Sequence, residues 1–290
     1  MSIIETKNLT KYYGKIRGIE NLNLEVKEGE FFGFIGPNGA GKSTAIRTLL
    51  GLINPTSGEA EVFGMPLSRK DEYLKEIGYL SSEATFYNRM KVGELIDYSA
   101  KLRGKDCSSE AKVLCERLEL DTKKRIDQLS LGNRKKLGIV CAMQHKPKLY
   151  IMDEPTSGLD PLMQKEFFEL LHERQEEGAT VFFSSHVLSE IQHHCTKAAI
   201  IRQGNLVAVD SIENLSTSNA KQVILHGVST LPENIKAKSV VESQQSVTFL
   251  YQGEIKELLT EICRLPVTDV TINEPELEEI FMHYYEKEGK

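Results

Sequence analysis

The sequence predicts an α/β protein with a mostly parallel central sheet, followed by a small α+β domain. Three observations predict it. The apolar run Phe31-Phe32-Gly33-Phe34-Ile35 ends in a glycine-rich loop, and a helical segment at residues 42–50, closed by Gly51, follows at once. Two further apolar runs, residues 149–152 and 181–183, flank a helical stretch at residues 162–177 that Gly178 closes. Beyond residue 211 the chain turns polar and then returns to short alternating segments.

Taken in order, Ile3-Ile4 and the alternation at residues 22–26 read as strands, with Lys27-Glu28-Gly29-Glu30 as a turn, so an antiparallel start is expected. Residues 31–35 are apolar on both faces, as a strand covered on both sides must be. From about residue 92 to 134 the period becomes helical: Val92, Leu95 and Ile96, then Ala111, Leu114, Cys115 and Leu118, recur at i, i+3, i+4 and i+7. The α/β alternation then resumes. Leu215-Ser216-Thr217-Ser218-Asn219 reads as a linker. After it come strands at 223–225, 247–250 and 267–272, a helix at 255–263 and a last helix after Pro275. The expected domains are 1–210 and 211–290, with a helical subdomain at about 84–135.

Charge and cysteine usage narrow the function. Lys and Arg total 36 against 42 Asp and Glu, a net charge of -6, so the chain offers no overall electrostatic attraction for nucleic acid. The five cysteines are scattered and form no C-x-x-C pair, which suits free thiols in a reducing compartment. The first residues lack the basic start and apolar core of a signal peptide, and no stretch has the ~18 consecutive apolar residues of a spanning helix. A membrane role is therefore expected to come through a partner.

Gly36-Pro37-Asn38-Gly39-Ala40-Gly41-Lys42-Ser43 fits G-x-x-x-x-G-K-[ST] and lies between the expected strand and helix. The glycines let backbone N–H groups curl around phosphate oxygens, and the helix N-terminus adds partial positive charge. Lys42 reaches the β and γ phosphates, and Ser43 offers a hydroxyl to Mg²⁺. An ordinary glycine-rich turn requires neither of these two residues. The fold expected around this loop is a P-loop NTPase core, which by itself does not separate a transporter motor from a GTPase, a kinase or a helicase.

Asp153 and Glu154 follow the apolar run 149–152. At the carboxyl edge of a sheet the first can hold Mg²⁺ and the second can orient a water for in-line attack on a γ-phosphate, making Glu154 the candidate base. Thr156-Ser157-Gly158-Leu159-Asp160 comes directly after, and Leu129-Ser130-Leu131-Gly132-Asn133 stands shortly before. These ordered motifs resemble the ABC ATPase family across residues 3–210.

The resemblance implies ATP and Mg²⁺ as cofactors, with Gly36, Asn38, Gly39, Ala40, Gly41, Lys42, Ser43 and Thr44 around the phosphates and metal contacts at Ser43, Asp153 and Ser82. It makes residues 129–133 the signature loop of a helical signature subdomain, whose Ser130 and Gly132 contact ATP held by a second subunit. Asp160 links the two sites across that dimer, and His186, after the strand 181–183, senses the γ-phosphate. From the residues alone, Ser130 and Asp160 read as helix caps. Tyr13 matches the aromatic that stacks on adenine, with Tyr12 the other candidate.

Two departures stand out. The family's usual Gln in the loop after Leu80 is Ser82 here, a shorter side chain with Glu83 beside it. In the signature, Leu131 replaces a common Gly and Asn133 a common Gln, which slows or weakens closure without removing the phosphate contact. A P-loop kinase leaves the later motifs unexplained. A soluble relative acting on ribosomes or nucleic acid is the alternative, set against the acidic balance and the single cassette.

The Leu9-Thr10-Lys11 and Tyr13-Gly14 opening, the Ser82 departure and Leu277-Glu278-Glu279-Ile280-Phe281 resemble bacterial export-type cassettes. The partners this implies are a second copy or sister ATPase subunit and a separate transmembrane permease, whose short helix enters a groove around residues 86–97, with no nucleic acid. The chain is then a cytoplasmic protein held on the inner face of the membrane. His193-His194-Cys195 reads as helix surface rather than a metal site, because adjacent helical residues point different ways.

Overall fold

The computed structural model describes residues 1–83, 85–87, 89–216, 221–232, 234–251 and 253–273. They form two compact units that divide between Val209 and Asp210.

The first unit opens with β1 (Ser2–Tyr13), β2 (Ile16–Leu22) and β3 (Glu25–Lys27), which pair antiparallel. The single strand expected at residues 22–26 is broken. Asn21 takes a left-handed φ of 48°, and the Leu24 amide donates to the Thr6 hydroxyl at 2.8 Å instead of continuing the β1–β2 ladder. The chain therefore changes its pairing register between β2 and β3. Next come β4 (Phe31–Ile35), α1 (Lys42–Leu49), β5 (Ser57–Val62), β6 (Met65–Pro66), α2 (Lys70–Tyr73) and β7 (Ile77–Leu80). β5 and β6 complete the antiparallel sheet, in the order β2-β1-β5-β6 with β3 beside β1.

The helical part follows with α3 (Val92–Arg103), α4 (Ser108–Arg117) and α5 (Leu131–Met143). α5 runs past residue 135, because Leu137, Ile139, Val140 and Met143 on it are fully buried. After it come β8 (Leu149–Asp153), α6 (Pro161–Glu176), β9 (Thr180–Ser185), α7 (Leu188–His194), β10 (Lys197–Arg202) and β11 (Asn205–Ser211). The central sheet has the order β11-β10-β4-β9-β8-β7, and the pairs β10–β4, β4–β9, β9–β8 and β8–β7 are all parallel. β10 turns into β11 through Gln203 and Gly204, both at positive φ as a two-residue hairpin turn demands. α1 buries Ala45, Ile46 and Leu49 in one core with Phe32, Phe34 and Phe182 of the parallel sheet and Ile4, Leu22 and Val62 of the antiparallel one. The helix that follows the glycine loop is thereby fixed to both sheets.

His145 lies just beyond α5 and is 4% exposed. Its Nε2 is 3.2 Å from the Ile77 carbonyl, while Nδ1 is buried without a hydrogen-bond partner. Burial, reinforced by Arg103, pushes its pKa down to about 4. The unfolded chain takes up this proton near pH 6.5. The stabilisation is therefore complete above pH 6.5 and is lost as pH falls toward 4, amounting to about 3 kcal/mol in full. The thermal midpoint is expected to drop between pH 7 and pH 5, and to drop less steeply in His145→Gln, which keeps a donor but does not titrate. Parallel slopes for the two proteins would refute the assignment.

In the second unit, α8 (Ile212–Ser216) replaces the first part of the expected linker. The Ser211 hydroxyl accepts from the Asn214 amide at 3.1 Å and so starts a helix; residues 217–219 lie outside the described ones. β12 (Lys221–His226), β13 (Ala237–Glu242), β14 (Ser246–Tyr251), α9 (Ile255–Ile262) and β15 (Asp269–Asn273) follow. The sheet order is β13-β14-β12-β15, antiparallel at every pair. α9 contributes Leu258 and Ile262 to a core with Val223, Leu225, Val247 and Phe249. The α+β reading holds, although β15 begins two residues later than the strand expected at 267–272. The helix expected after Pro275 lies outside the described residues. All five cysteines are free thiols.

Candidate active site

Three adjacent parallel strands end together. In their registers Ile35 of β4 faces Ser185 of β9, and Ser184 of β9 faces Asp153 of β8. The glycine loop, the carboxylate pair and His186 therefore project from one edge of the sheet, although they are far apart in sequence. A pocket of about 350 Å³ at this edge is walled by residues 37–44, Tyr13, Ile16, Arg17, Gly18, Ser82 and Glu154.

The loop is sterically specified. Gly41 has φ +109°, and a Cβ there would stand 2.5 Å from the Gly18 carbonyl oxygen, so only glycine fits. Gly36 is equally confined, since its Cβ would meet the Ile201 carbonyl oxygen at 2.3 Å. Gly41 precedes α1 without a capping side chain, and the first turn carries no acidic residue, so its amides face the pocket as donors for an anion. Lys42 is 5% exposed. Its Nζ donates to the Gly36 carbonyl at 2.6 Å and to that of Pro37 at 3.3 Å, and it lies 3.1 Å from Glu154 Oε1.

Asp153 is fully buried; its Oδ1 accepts from the Ser184 hydroxyl at 2.7 Å. Its Oδ2 is buried with no hydrogen-bond partner. Glu154 is a non-glycine residue at φ +50°, a left-handed conformation that costs about 1–2 kcal/mol. Its amide donates to the Ser184 carbonyl at 3.1 Å. This bend turns the carboxylate back toward the loop, so that Oε1 pairs with Lys42 and Oε2 lies 2.5 Å from His186 Nδ1. Oε1 is close to Lys42 but lacks a hydrogen-bond alignment. Behind His186, the Ser185 hydroxyl donates to Glu190 at 2.6 Å and accepts from the Val187 amide at 2.9 Å, fixing the turn.

Of the two tyrosines, Tyr13 borders the pocket, whereas the Tyr12 hydroxyl is bound to Glu20 at 2.7 Å. Ser82 reaches the pocket wall; Glu83 is exposed and is not among the wall residues. Ser130 caps α5 by accepting from the Asn133 amide at 3.3 Å, and Asp160 caps α6 by accepting from the Met163 amide at 3.0 Å. Neither they nor Gly132 wall the pocket of their own chain. Gly132 instead lies against Gly158, whose carbonyl oxygen would be 2.8 Å from an added Cβ. Leu131 is 70% exposed at the start of α5.

Of the His193-His194-Cys195 run read as helix surface, only His193 is exposed; His194 is half-buried, and Cys195 is buried just beyond the end of α7. His194 stacks on Phe168 with centroids 3.6 Å apart, and its Nδ1 lies 3.1 Å from His172 Nε2. Other residues at the site escaped sequence reasoning. Ile16, Arg17 and Gly18 wall the pocket from β2, where no motif marks them, and Lys135, in the run Arg134-Lys135-Lys136, carries no motif and is 3% exposed.

A strand, a phosphate loop and a helix, with two carboxylates on a neighbouring strand, define a P-loop nucleoside triphosphatase. The comparisons with known proteins refine this. The ABC transporter family model matches residues 19–157. The bacitracin transport ATP-binding protein BcrA of Bacillus licheniformis is 36% identical over 97% of this chain and 96% of its own length. The linearmycin resistance ATP-binding protein LnrL of Bacillus subtilis is 29% identical over 97% of both chains. Among solved structures, an ATP-binding subunit of an ABC transporter is 29% identical with a TM-score of 0.69, covering 73% of this chain and 91% of that one. A dimeric ATP-binding cassette in a post-hydrolysis state, bound to ADP and Pi, is 25% identical with a TM-score of 0.66, over 72% of this chain and 98% of that one.

The chain belongs to the ABC transporter family, as an ATP-binding subunit and an ATPase. These relatives favour transport over the ribosome or nucleic-acid alternative.

Proposed function

We propose that this chain hydrolyses ATP to power export of an antibiotic-class cargo through a separate membrane permease, working as a dimer. The observation that carries the chemistry is the convergence of Lys42, Asp153 and Glu154 at one sheet edge. The cargo class rests on BcrA, matched along nearly its whole length, and on LnrL. Among the described residues no helix is long and apolar enough to cross a membrane, which is consistent with a permease on another chain and peripheral attachment.

The P-loop amides and Lys42 bind the triphosphate, and Tyr13 is placed to stack on the base. Mg²⁺ fits the site: Asp153 Oδ2 is a buried oxygen with no other partner, and Ser43 stands in the same wall. Asp153 and Ser43 would hold the ion, with Ser82 in the same wall beside them. When bound, Mg²⁺ neutralises charge developing on the phosphates. Glu154 accepts a hydrogen bond from the attacking water and orients it, and His186, held against Glu154, contacts the γ-phosphate. Ser130, Gly132 and Asp160 serve the site of the opposite subunit, a reading supported by the family resemblance and compatible with their position outside the pocket of their own chain. The second unit is an accessory domain, and the first carries all of this chemistry.

The test is Mg²⁺-dependent phosphate release by the purified chain, alone and in vesicles with the membrane protein encoded beside it. Stimulation by that partner, together with raised bacitracin tolerance in cells producing both, is expected. Turnover that ignores the partner would refute the transport reading.

A further inference from the structure

Lys135 lies five residues beyond the Ser130 cap, on the face of α5 turned toward the sheet. Its ammonium has three N–H donors, and three backbone carbonyls surround it. Nζ is 2.9 Å from the Ser82 oxygen, 3.0 Å from that of Glu154 and 3.4 Å from that of Ser81. Among the described residues no carboxylate accepts a hydrogen bond from it. A cation this deeply buried is costly unless its donors are all used, and burial does lower its pKa, against the opposing pull of Asp153 and Glu154. A side chain of this kind is not simple filling.

What it holds accounts for its place. The Glu154 backbone is in a strained left-handed conformation. Ser184 secures the amide side of the residue and Lys135 the carbonyl side. Strain persists only where the surroundings over-determine it. The same ammonium grips the loop at residues 81–82, where Ser82 is too short to span what a Gln side chain spans.

We propose that Lys135 is a positioning residue for Glu154. It ties the carbonyl of Glu154 to the Ser81-Ser82 loop, so that loop position and carboxylate aim are set together. This rests on the reading of Glu154 as the water-orienting base.

The experiment compares wild type, Lys135→Met, Lys135→Arg and Glu154→Gln in steady-state ATP hydrolysis, with binding of a fluorescent ATP analogue and thermal midpoints measured on each. Misplacing a catalytic group by about 1 Å costs up to ~100-fold. Lys135→Met is accordingly expected to lower kcat by about 10–100-fold with KM for ATP nearly unchanged, the pattern of a lost transition-state interaction. Lys135→Arg, which keeps the charge and several donors, should recover most of that loss. Wild-type kcat in Lys135→Met beside an inactive Glu154→Gln would overturn the proposal. So would a fall in kcat matched by a higher KM and a lower thermal midpoint without rescue by Arg, which is the mark of a purely structural residue. Normal turnover in Glu154→Gln would sink the base assignment instead, and the two failures are thereby distinct. Should Lys135→Met not fold, Lys135→Gln against Lys135→Arg decides: a large gap in kcat supports the role, and equal rates overturn it.

Discussion

Glu154→Gln is expected to lower kcat by about 10²–10⁴-fold, the range for losing a positioned general base, while ATP binds at least as tightly as to the wild type. The second half follows from geometry. Glu154 Oε1 stands 3.1 Å from Lys42 Nζ, inside a wall where Lys42 is 5% exposed and the Glu154 side chain 15%. A triphosphate must compete with this carboxylate for the Lys42 ammonium, and it must also accept a negative charge close to its γ-phosphate. Glutamine occupies nearly the same volume, so the bend at φ +50° and the contacts to Ser184 survive. The anion is gone, however, and with it both the competition for Lys42 and the repulsion of the nucleotide. Single-turnover hydrolysis and nucleotide titration on the same preparation separate the two effects. Unchanged turnover, or weaker binding with turnover intact, would mean that Glu154 serves only to neutralise Lys42.

Much of this site is legible in the sequence because the phosphate loop is written in consecutive residues. Residues 36–43 impose their own backbone, and Gly41 admits no other residue. Asp153 and Glu154 are legible for a related reason, since packing alone gives an apolar strand no cause to end in two adjacent carboxylates. What the sequence hides is whatever depends on register between distant strands. Ser184 completes Asp153 only because β9 lies beside β8 at that register. Lys135 has no motif to mark it, and its place is set only when α5 packs against β7 and the carbonyls of two loops converge on its ammonium. Local bends are hidden as well: the break between β2 and β3 depends on Thr6, sixteen residues upstream of Leu22, offering its hydroxyl to Leu24. Ser130 and Asp160 show the opposite difficulty, because within one chain each is fully accounted for as a helix cap.

The role proposed for Ser130 and Gly132 toward ATP held by a second cassette is tested by mixing two inactive chains. Lys42→Ala removes the phosphate ligand from the pocket but leaves the Ser130-Leu131-Gly132 face intact. Leu131→Glu does the reverse. Leu131 is 70% exposed, and an acidic residue in the first turn of α5 is compatible with the helix dipole, so the fold is retained. On the proposed dimer reading, the new carboxylate would meet the γ-phosphate held by the opposite subunit and repel it. Each variant alone is expected to lose nearly all ATP hydrolysis. In an equal mixture half of the dimers are mixed, and each of those holds one site built from an unaltered pocket and an unaltered signature face. Random assortment then restores about a quarter of the wild-type sites, and hydrolysis should return to about that level. Recovery of this kind cannot come from sites complete within one chain, since every chain in the mixture carries a defect. A mixture no more active than its components would place Ser130 and Gly132 outside the catalytic site and leave them as the caps and packing residues they are within a single chain.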